Sequence, residues 1–141
     1  NQSESSLSPF FKGWFRTGDL ACWTPEYYLK IVGRKKELII SGGYNVYPKE
    51  VEGIIDKIPG VSESAVIGVP HADFGEAVVV VIVPSAEPVD IETIHAYLAE
   101  RLARFKQPKM AVNVEALPRN TMGKVQKNIL REQYAGLLSQ D

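Results

Sequence analysis

The stretch that decides the fold runs from Gly33 to Glu52 and reads GRKKELIISGGYNVYPKEVE. A polar turn at its start leads into the apolar run Leu38 to Ile40, which is interrupted by Gly42 and Gly43. Paired glycines can adopt positive φ and carry no side chain, so a strand or a ligand can approach bare backbone there. Pro48 favours the first turn of a helix, and the glutamates after it suit the positive end of that helix. The stretch therefore predicts a strand, a glycine turn, a second extended segment and a helix.

Length and composition fit one soluble globular domain. The chain has 141 residues, 45% of them hydrophobic, and 16 basic against 17 acidic residues leave a net charge of -1. This balance argues against a nonspecific nucleic-acid binder or a polybasic membrane surface, so any anionic ligand must be held locally. Cys22 is the single cysteine, which excludes an internal disulfide, and we expect no metal site in this chain.

No segment has the pattern of a membrane span or a signal peptide. The longest apolar run, Ala77 to Val83, is far shorter than the ~20 residues that a spanning helix needs. The polar, Ser-rich start, Asn1 to Ser8, is expected to be poorly ordered and lacks the features of a signal peptide. We therefore expect a protein of the cytoplasm, or of an organelle matrix, with no transmembrane segment.

The chain after Pro48 alternates between helix and strand patterns. Helices are predicted from Pro48, from Asp90 and from Val125, because apolar residues recur there at helical spacing. Strands are predicted at Ser64 to Val69, Ala77 to Val83 and Met110 to Val114, with the valine-rich second strand in the centre. Upstream, the segment Asp19 to Tyr27 is expected to be loop, and a separate hairpin is expected from Tyr28 to Val32 and Leu38 to Ile40. The expected fold is mixed α/β (α+β): a small three-stranded sheet flanked by helices and preceded by a two-stranded hairpin.

Three segments in this order resemble sequence motifs of one enzyme superfamily. Phe15 to Leu20 (FRTGDL), Gly33 to Glu52 and Pro118 to Lys124 (PRNTMGK) resemble the A7, A8 and A10 motifs of the AMP-forming acyl-CoA synthetases. This superfamily also includes peptide-synthetase adenylation domains and beetle luciferases. The resemblance implies that residues 1-34 are the tail of a large N-terminal adenylation domain with the start of the connecting hairpin, and that residues 35-141 are the C-terminal lid domain.

Lys124 is the candidate catalytic residue. It follows Gly123 in a loop of turn-forming residues, from which its long side chain could be carried into another site as a mobile point charge. The resemblance gives the A10 lysine the task of stabilising charge while a carboxylate attacks the α-phosphorus of ATP. Taken alone, Lys124 would be interpreted as an exposed lysine before a helix, but the match of Pro118 to Lys124 favours the catalytic role.

Asp19 and Arg34 are the candidate ATP- and AMP-binding residues. A carboxylate accepts two hydrogen bonds at once, so Asp19 suits the two hydroxyls of a ribose, as the A7 resemblance implies. The alternative is an ordinary Asx turn. The resemblance places Arg34 near the ribose and phosphate of AMP, and a solvated turn arginine is the alternative. Lys36 stands at the hinge position of the family, about which the lid swings between the two half-reactions.

Gly42, Gly43 and Tyr44 are the candidate CoA-binding residues. Pantetheine is a narrow chain with two amides, and a glycine strand edge can pair with them while leaving room for the thiol. In the resembled family this segment lines the pantetheine tunnel after the lid rotates. A β-bulge or a hairpin turn is the structural alternative, and both interpretations can hold together.

Two histidines and a basic run complete the candidates. His71 and His95 are not expected to be catalytic, because the sequence places no serine or cysteine beside either of them. A run of basic residues late in the second predicted helix either is a solvated helix end or meets the 3′-phosphate of CoA. It consists of Arg101, Arg104, Lys106 and Lys109.

The resemblance implies an acid:CoA ligase as the intact protein. Such an enzyme uses ATP with Mg²⁺, bound mainly by the missing domain, to form an acyl-adenylate and then passes the acyl group to coenzyme A. The stretches Gly42 to Glu52 and Ala103 to Lys109 resemble malonyl-CoA synthetases, so malonate or a related acid is the expected substrate. The fragment alone is expected to be inactive. The alternatives are the lid of an adenylation domain that loads a carrier protein, and a non-catalytic binding module with the same fold.

Overall fold

The computed structural model describes residues 8–138. Most of the polar start, which the sequence predicts to be poorly ordered, lies outside this range. The described strands are β1 Phe10–Phe11, β2 Trp14–Phe15, β3 Asp19–Trp23, β4 Leu29–Arg34, β5 Ile39–Ser41, β6 Tyr44–Val46, β7 Val61–His71, β8 Gly75–Pro84 and β9 Met110–Asn113. The described helices are α1 Pro48–Ile55, α2 Ile91–Leu98 and α3 Lys127–Tyr134, with 3₁₀ turns at Lys35–Glu37 and Arg104–Lys106. None of the helices in this range has the length and apolar character that a bilayer crossing requires.

The main sheet is mixed and has β8 at its centre. The strand order β6-β5-β8-β7 is antiparallel throughout, and β9 pairs with β8 in parallel. Two small antiparallel ribbons precede it, one formed by β1 and β2 and the other by β3 and β4. The expected α/β class and the central position of the valine-rich strand are confirmed.

The two faces of the main sheet carry separate apolar cores. Successive side chains of a strand point to opposite faces, so Val78 and Val80 pack with α1 and α2 whereas Val79 and Val81 pack with α3. All four valines are almost completely buried. Each such side chain contributes about 1.5–3 kcal/mol by leaving water. The near-continuous valine run is thus explained by a strand that is covered on both sides.

The structure corrects the expected hairpin and the expected number of strands. β4 pairs with β3, in the segment that we expected to be loop, and not with β5. β5 instead pairs with β6 and joins the main sheet where Ser41 pairs with Gly75, so that sheet has five strands rather than three. The reason is local: Lys35–Glu37 forms a 3₁₀ turn, whereas Gly42 and Gly43, at φ +57° and +82°, form the tight reversal. A two-residue hairpin turn with positive φ at both positions is the type that matches strand twist.

The first two ribbons expose large apolar side chains. Trp14 is 79% exposed and Tyr27 87%, and Phe10 and Phe15 touch each other edge to face with ring centroids 5.5 Å apart. An exposed apolar surface of this kind is typical of an interaction site. The exposed rings of β1 and β2 therefore form such a surface in the described residues.

Candidate functional site

The glycine turn borders an open cavity of about 1120 Å³ on the α2 side of the sheet. The N–H of Gly42 donates to the carbonyl of Phe74 over 2.9 Å, which fixes the turn against the β7–β8 hairpin. A Cβ at Gly42 would lie 3.3 Å from the Phe74 ring, and its φ is positive, so glycine is required there both for space and for conformation. The glycine turn is a hairpin turn that leaves backbone bare beside the cavity.

Aromatic rings form part of the wall of this cavity. The rings of Tyr44 and Phe105 contact each other with centroids 4.8 Å apart, and Phe74 lies beside Gly42. The helix predicted from Asp90 ends at Leu98, and Phe105 lies beyond it in the 3₁₀ turn Arg104–Lys106. Sequence reasoning missed Phe74 and Phe105 because an exposed ring in a loop has no periodic signature.

The basic run divides into residues that face the cavity and residues that do not. Arg104 and Lys109 line it, and the Nζ of Lys109 lies 3.9 Å from the centroid of the Phe74 ring. Lys106 is instead ion-paired with Glu50, its Nζ 2.7 Å from Oε1. The cavity thus combines bare backbone, aromatic faces and two cations, a set that suits a narrow ligand with an anionic end.

The two histidines lie near this site in structural roles. Nε2 of His95 lies 2.7 Å from the carbonyl oxygen of Pro108, a contact that joins α2 to the segment before β9. Nδ1 of His71 accepts a hydrogen bond from the backbone N–H of Asp73 over 3.2 Å. Both contacts hold loops that shape the cavity.

Lys124 belongs to a turn that is closed by its own hydrogen bonds. Oδ1 of Asn120 accepts from the N–H of Met122 (3.0 Å) and of Lys124 (2.9 Å), and the N–H of Asn120 donates back to the carbonyl of Lys124 over 2.9 Å. Gly123 completes the turn at φ +81°. These hydrogen bonds define the turn that the turn-forming residues of this loop predict.

The Lys124 turn is fastened to the sheet at one point and exposes its lysine. Arg119 donates to the carbonyl of Gly123 over 2.7 Å and forms an ion pair with Glu63 of β7. The side chain of Lys124 is exposed, and its ammonium has no hydrogen bond or ion pair within residues 8–138. A cation on a fixed turn with no partner in its own domain can be presented to another site.

The two predicted nucleotide-binding residues lie side by side. Asp19 pairs with Arg34 across the β3–β4 ribbon, and Nε of Arg34 lies 3.0 Å from Oδ1 of Asp19. The side chains are 27% and 46% exposed, so both are accessible to a ligand. An acceptor for hydroxyls and a donor for phosphate thus lie at one end of the ribbon, a few residues before Lys36.

Lys36 lies in the 3₁₀ turn that connects this ribbon to the main sheet. Its side chain is exposed, and its carbonyl accepts a hydrogen bond from Nη1 of Arg131 over 2.9 Å. The predicted hinge therefore coincides with the only link between β4 and β5, a short turn.

The glycine turn and the Lys124 turn lie at opposite ends and on opposite faces of the main sheet. The first adjoins the His71 end of β7, and the second is tied to Glu63, eight residues away, or roughly 26 Å at about 3.3 Å per residue. Val78, which lines the cavity, packs with α1 and α2, whereas Leu117 and α3, on either side of the Lys124 turn, pack on the other face. A single ligand of ordinary size cannot bridge the two features.

The described residues provide no site for a metal ion. Among residues 8–138 there is no group of three or more His, Cys, Asp or Glu side chains arranged to hold one.

Comparison with known proteins gives the family. Residues 50–124 match the family model described as AMP-binding enzyme C-terminal domain. The chain is 47% identical over 135 residues to the long-chain-fatty-acid–CoA ligase FadD13 of Mycobacterium tuberculosis, covering 96% of this chain and 27% of that protein. It is 42% identical to the indoleacetate–CoA ligase of Aromatoleum aromaticum, with the same coverage of both chains.

Solved structures agree with this match. ATP-bound MatB from Rhodopseudomonas palustris superposes with a TM-score of 0.84 at 52% identity, over 96% of this chain and 27% of that one. The fatty acyl CoA synthetase of Mycobacterium tuberculosis gives a TM-score of 0.73 at 46% identity, over 95% and 27%. The chain thus spans about a quarter of the length of the proteins it matches. Because the family model covers more than half of the sequence, this chain belongs to the AMP-binding enzyme C-terminal domain family.

Proposed function

We propose that this chain is the C-terminal lid of an AMP-forming acid:CoA ligase. The observation that carries the proposal is the placement of an unpartnered lysine and a glycine-lined cavity at opposite ends of one rigid body. Two successive half-reactions need two different surfaces at one reaction centre, and a rotating lid provides them in turn. The CoA ligases among the relatives support this assignment.

The proposed domain division places residues 1–34 with a large adenylation domain and residues 35–141 in the lid. The exposed rings of β1 to β4, such as Trp14 and Tyr27, fit a surface that is covered by that domain. Lys36, just inside the division, is the proposed hinge. The acid-binding pocket and the magnesium ligands belong to the large domain in this scheme.

In the first half-reaction Lys124 supplies positive charge. A carboxylate oxygen of the acid attacks the α-phosphorus of ATP, an O–P bond forms, and pyrophosphate leaves with the electrons of the bond that breaks. Negative charge increases on the phosphoryl oxygens, and the ammonium of Lys124 stabilises it. Asp19 accepts hydrogen bonds from the ribose hydroxyls and Arg34 donates to the nucleotide, consistent with their placement at one end of the ribbon.

In the second half-reaction the glycine turn guides coenzyme A. The pantetheine chain passes along the bare backbone of Gly42 and Gly43, beside Tyr44, so that its thiol reaches the acyl carbonyl and AMP leaves. Arg104 and Lys109 then meet the phosphates of the CoA nucleotide. These two cations favour free CoA over a carrier protein, because CoA alone brings a nucleotide with a 3′-phosphate.

The finer proposal is that the acid is malonate or a close relative. It rests on the resemblance of Gly42 to Glu52 and Ala103 to Lys109 to malonyl-CoA synthetases, since the lid contains no acyl pocket. For the whole protein we propose the cytosol or an organelle matrix, where the exposed free thiol of Cys22 stays reduced.

The proposal is tested by separating the half-reactions in the full-length protein. Lys124→Ala should reduce acid-dependent ATP–pyrophosphate exchange by about a hundredfold to a thousandfold, as for loss of one charge-stabilising group. Thioester formation from supplied acyl-adenylate should stay close to the wild-type rate. Lys57→Ala is the matched control, because Lys57 is exposed on the same lid and has no role in either step. Equal loss of both steps would refute the role of Lys124, and a wild-type protein without acid-dependent exchange would refute the ligase assignment.

A further inference from the structure

A buried ion pair joins α1 and α3 at the outer edge of β7. The Nζ of Lys127 lies 2.6 Å from Oε1 of Glu52, and the two side chains are only 8% and 7% exposed. The same Glu52 oxygen accepts a hydrogen bond from the N–H of Val66 over 2.9 Å. Since β7 is the last strand on its side of the sheet, this carboxylate satisfies a donor on an otherwise unpaired edge.

The same face of α3 also holds the hinge turn. Nζ of Lys127 lies 3.4 Å from Oε2 of Glu37, and Nη1 of Arg131 donates to the carbonyl of Lys36 over 2.9 Å. Lys127 and Arg131 are four residues apart, so they lie one above the other on the helix. Both Lys36 and Glu37 of the hinge turn are therefore bonded to α3. Glu37 contacts Lys127 through its side chain, and Lys36 contacts Arg131 through its backbone carbonyl.

The second contact lies at the surface, where the Arg131 side chain is half-buried and Lys36 is exposed. Nε of Arg131 is buried without a hydrogen-bond partner within residues 8–138. Its Nη1 is therefore the guanidinium nitrogen that holds the Lys36 carbonyl. Packing of α3 on the sheet does not require the contact between Arg131 and Lys36, because Leu130 already anchors the helix in the core.

We infer that Lys127 and Arg131 are positioning residues that fasten the C-terminal side of the hinge to the lid. The clamp, as we call the contacts of these two side chains with Lys36, Glu37 and Glu52, holds the chain from the Lys36 carbonyl onward, whereas the N–H of Lys35 is bonded to the carbonyl of Gly18 in the β3–β4 ribbon over 2.9 Å. This inference rests on the proposed function, in which the lid swings about Lys36.

The clamp also determines what moves together with the hinge. The N–H of Gln126 donates to the carbonyl of Pro118 over 2.8 Å, so the Lys124 turn is bonded to the residue before α3. Any rotation at the hinge is thus transmitted through α3 to Lys124 as a rigid displacement. Without the clamp the lid would have a longer, looser tether, and a smaller share of lid orientations would suit either half-reaction.

The experiment uses the full-length protein and starts from the mildest change. Arg131→Met removes the donor to Lys36 but keeps an apolar stem, and Arg131→Lys restores a donor of similar reach. Glu37→Gln weakens the other contact without leaving a buried charge. Lys57→Gln is the control for loss of a cation elsewhere on the lid. Lys127→Met is avoided because it would remove the nearest cation from the buried Glu52 and leave only Lys49, whose Nζ is 3.7 Å from Oε2 of Glu52, which is destabilising.

Two measurements separate positioning from simple stabilisation. Trypsin cleavage after Lys35 and Lys36, followed by mass spectrometry, should become about fivefold faster in Arg131→Met, the factor expected for one ordinary hydrogen bond. Cleavage at other lid sites, and Tm, should stay unchanged. In Arg131→Met, the kcat of both half-reactions should decrease several-fold while the KM of the acid stays unchanged. Arg131→Lys should restore both rates.

The outcomes are distinct. A lower Tm with cleavage increased throughout the lid would overturn the clamp in favour of a purely structural role. Unchanged hinge cleavage and unchanged rates in Arg131→Met and Glu37→Gln, with an active wild type, would overturn it outright. An inactive wild type would instead count against the proposed function, and increased hinge cleavage would still support the mechanical part of the inference.

Discussion

Gly43 and Gly123 have nearly the same backbone conformation and opposite surroundings. Their φ angles are +82° and +81°, and no atom lies within 4 Å of a Cβ built on either residue. The turn at Gly43 opens onto a cavity and exposes backbone, whereas the turn at Gly123 closes on itself and exposes the side chain of Lys124. The comparison teaches that one local device, a residue with positive φ, serves two functions according to what the tertiary structure places around it.

The distance between these turns matters as much as their difference. They lie at opposite ends of the β7–β8 ribbon, and the lid between them is rigid because β8 is buried on both faces. A rotation that brings one turn to a reaction centre must take the other away. The predictions below test this reciprocity, beginning with the largest effect.

A matched pair of substitutions tests the reciprocity directly. Gly43→Ala and Gly123→Ala should cost similar stability, about 1–2 kcal/mol each, because both force a side chain into the left-handed region. Gly43→Ala should slow thioester formation by up to about a hundredfold, and Gly123→Ala should slow adenylate formation by a similar factor, as misplacement of a reacting group by ~1 Å does. Single-turnover assays of each half-reaction and thermal melts of both variants provide the measurement.

The pattern of losses decides the outcome. The crossed result, with each variant impaired in one step and similar in Tm, supports two separate working faces. If both variants lose the same step, or both steps equally, the two turns do not alternate. Similar Tm values would exclude general destabilisation as the cause. Equal backbone strain in the two variants cannot slow thioester formation in one and adenylate formation in the other.

A smaller effect is expected from the rim of the cavity. Lys109→Gln should raise the KM for CoA by about two- to fivefold, as loss of one exposed charge contact does, and leave adenylate formation unchanged. Wild type should prefer CoA over dephospho-CoA, and the variant should lose part of that preference if Lys109 meets the 3′-phosphate. Steady-state kinetics with both acceptors measures this, with Lys57→Gln as control. An unchanged CoA KM would place the nucleotide elsewhere.

The smallest effect concerns stability alone. Asp90 caps α2 by accepting from the N–H of Thr93 over 2.7 Å, and hydrogen bonds from the side chain and the backbone of Thr93 lower the pKa of this carboxyl group. Because the pKa is lower in the folded state, the charged cap stabilises the fold above the ordinary pKa of aspartate, and this contribution is lost as the pH falls through the folded-state pKa.

Melting curves of Asp90→Asn and wild type from about pH 7 to about pH 3 test whether the stabilisation by ionised Asp90 is lost in acid. Asparagine keeps the cap but cannot ionise, so wild type should have a slightly higher Tm at neutral pH, and the difference should vanish in acid. Neither half-reaction should change, since the Asp90 side chain bonds within α2, to Thr93, and is proposed for neither step. A difference that grows as the pH falls would contradict the assigned cause.

Local sequence was sufficient for several features of the fold. The helix after Pro48, the cap at Asp90 and the central valine strand were all predicted, because each depends on chemistry within a few residues. The pairing of β4 with β3 was not predicted, because the polar turn after Gly33 gives no indication of whether the chain reverses there or continues. The partner strand of β4 lies upstream of it, in a segment without a strand pattern.

The candidate site also contains some residues that the sequence predicted and others that only the tertiary structure brought together. Gly42 to Tyr44 and Lys124 were predicted as site residues, and they stay proposals for the roles that the resemblance implies. The residues Phe74 and Phe105 came to light only in the cavity wall, because they come from two loops that the sheet brings together. The clamp at Lys127 and Arg131 was missed for a similar reason, since its partners lie about ninety residues upstream.

By itself, the sequence determined the local conformations: where positive φ is needed, where helices begin, and which residue types are available for each step. Only the tertiary structure decided that the two glycine turns face away from each other and that α3 contacts the turn at Lys36 and Glu37. The physical reason is that backbone preference acts over a few residues, whereas orientation depends on which side chains share a buried face. Those contacts arise between segments far apart in the chain, and they exist only once the sheet has formed.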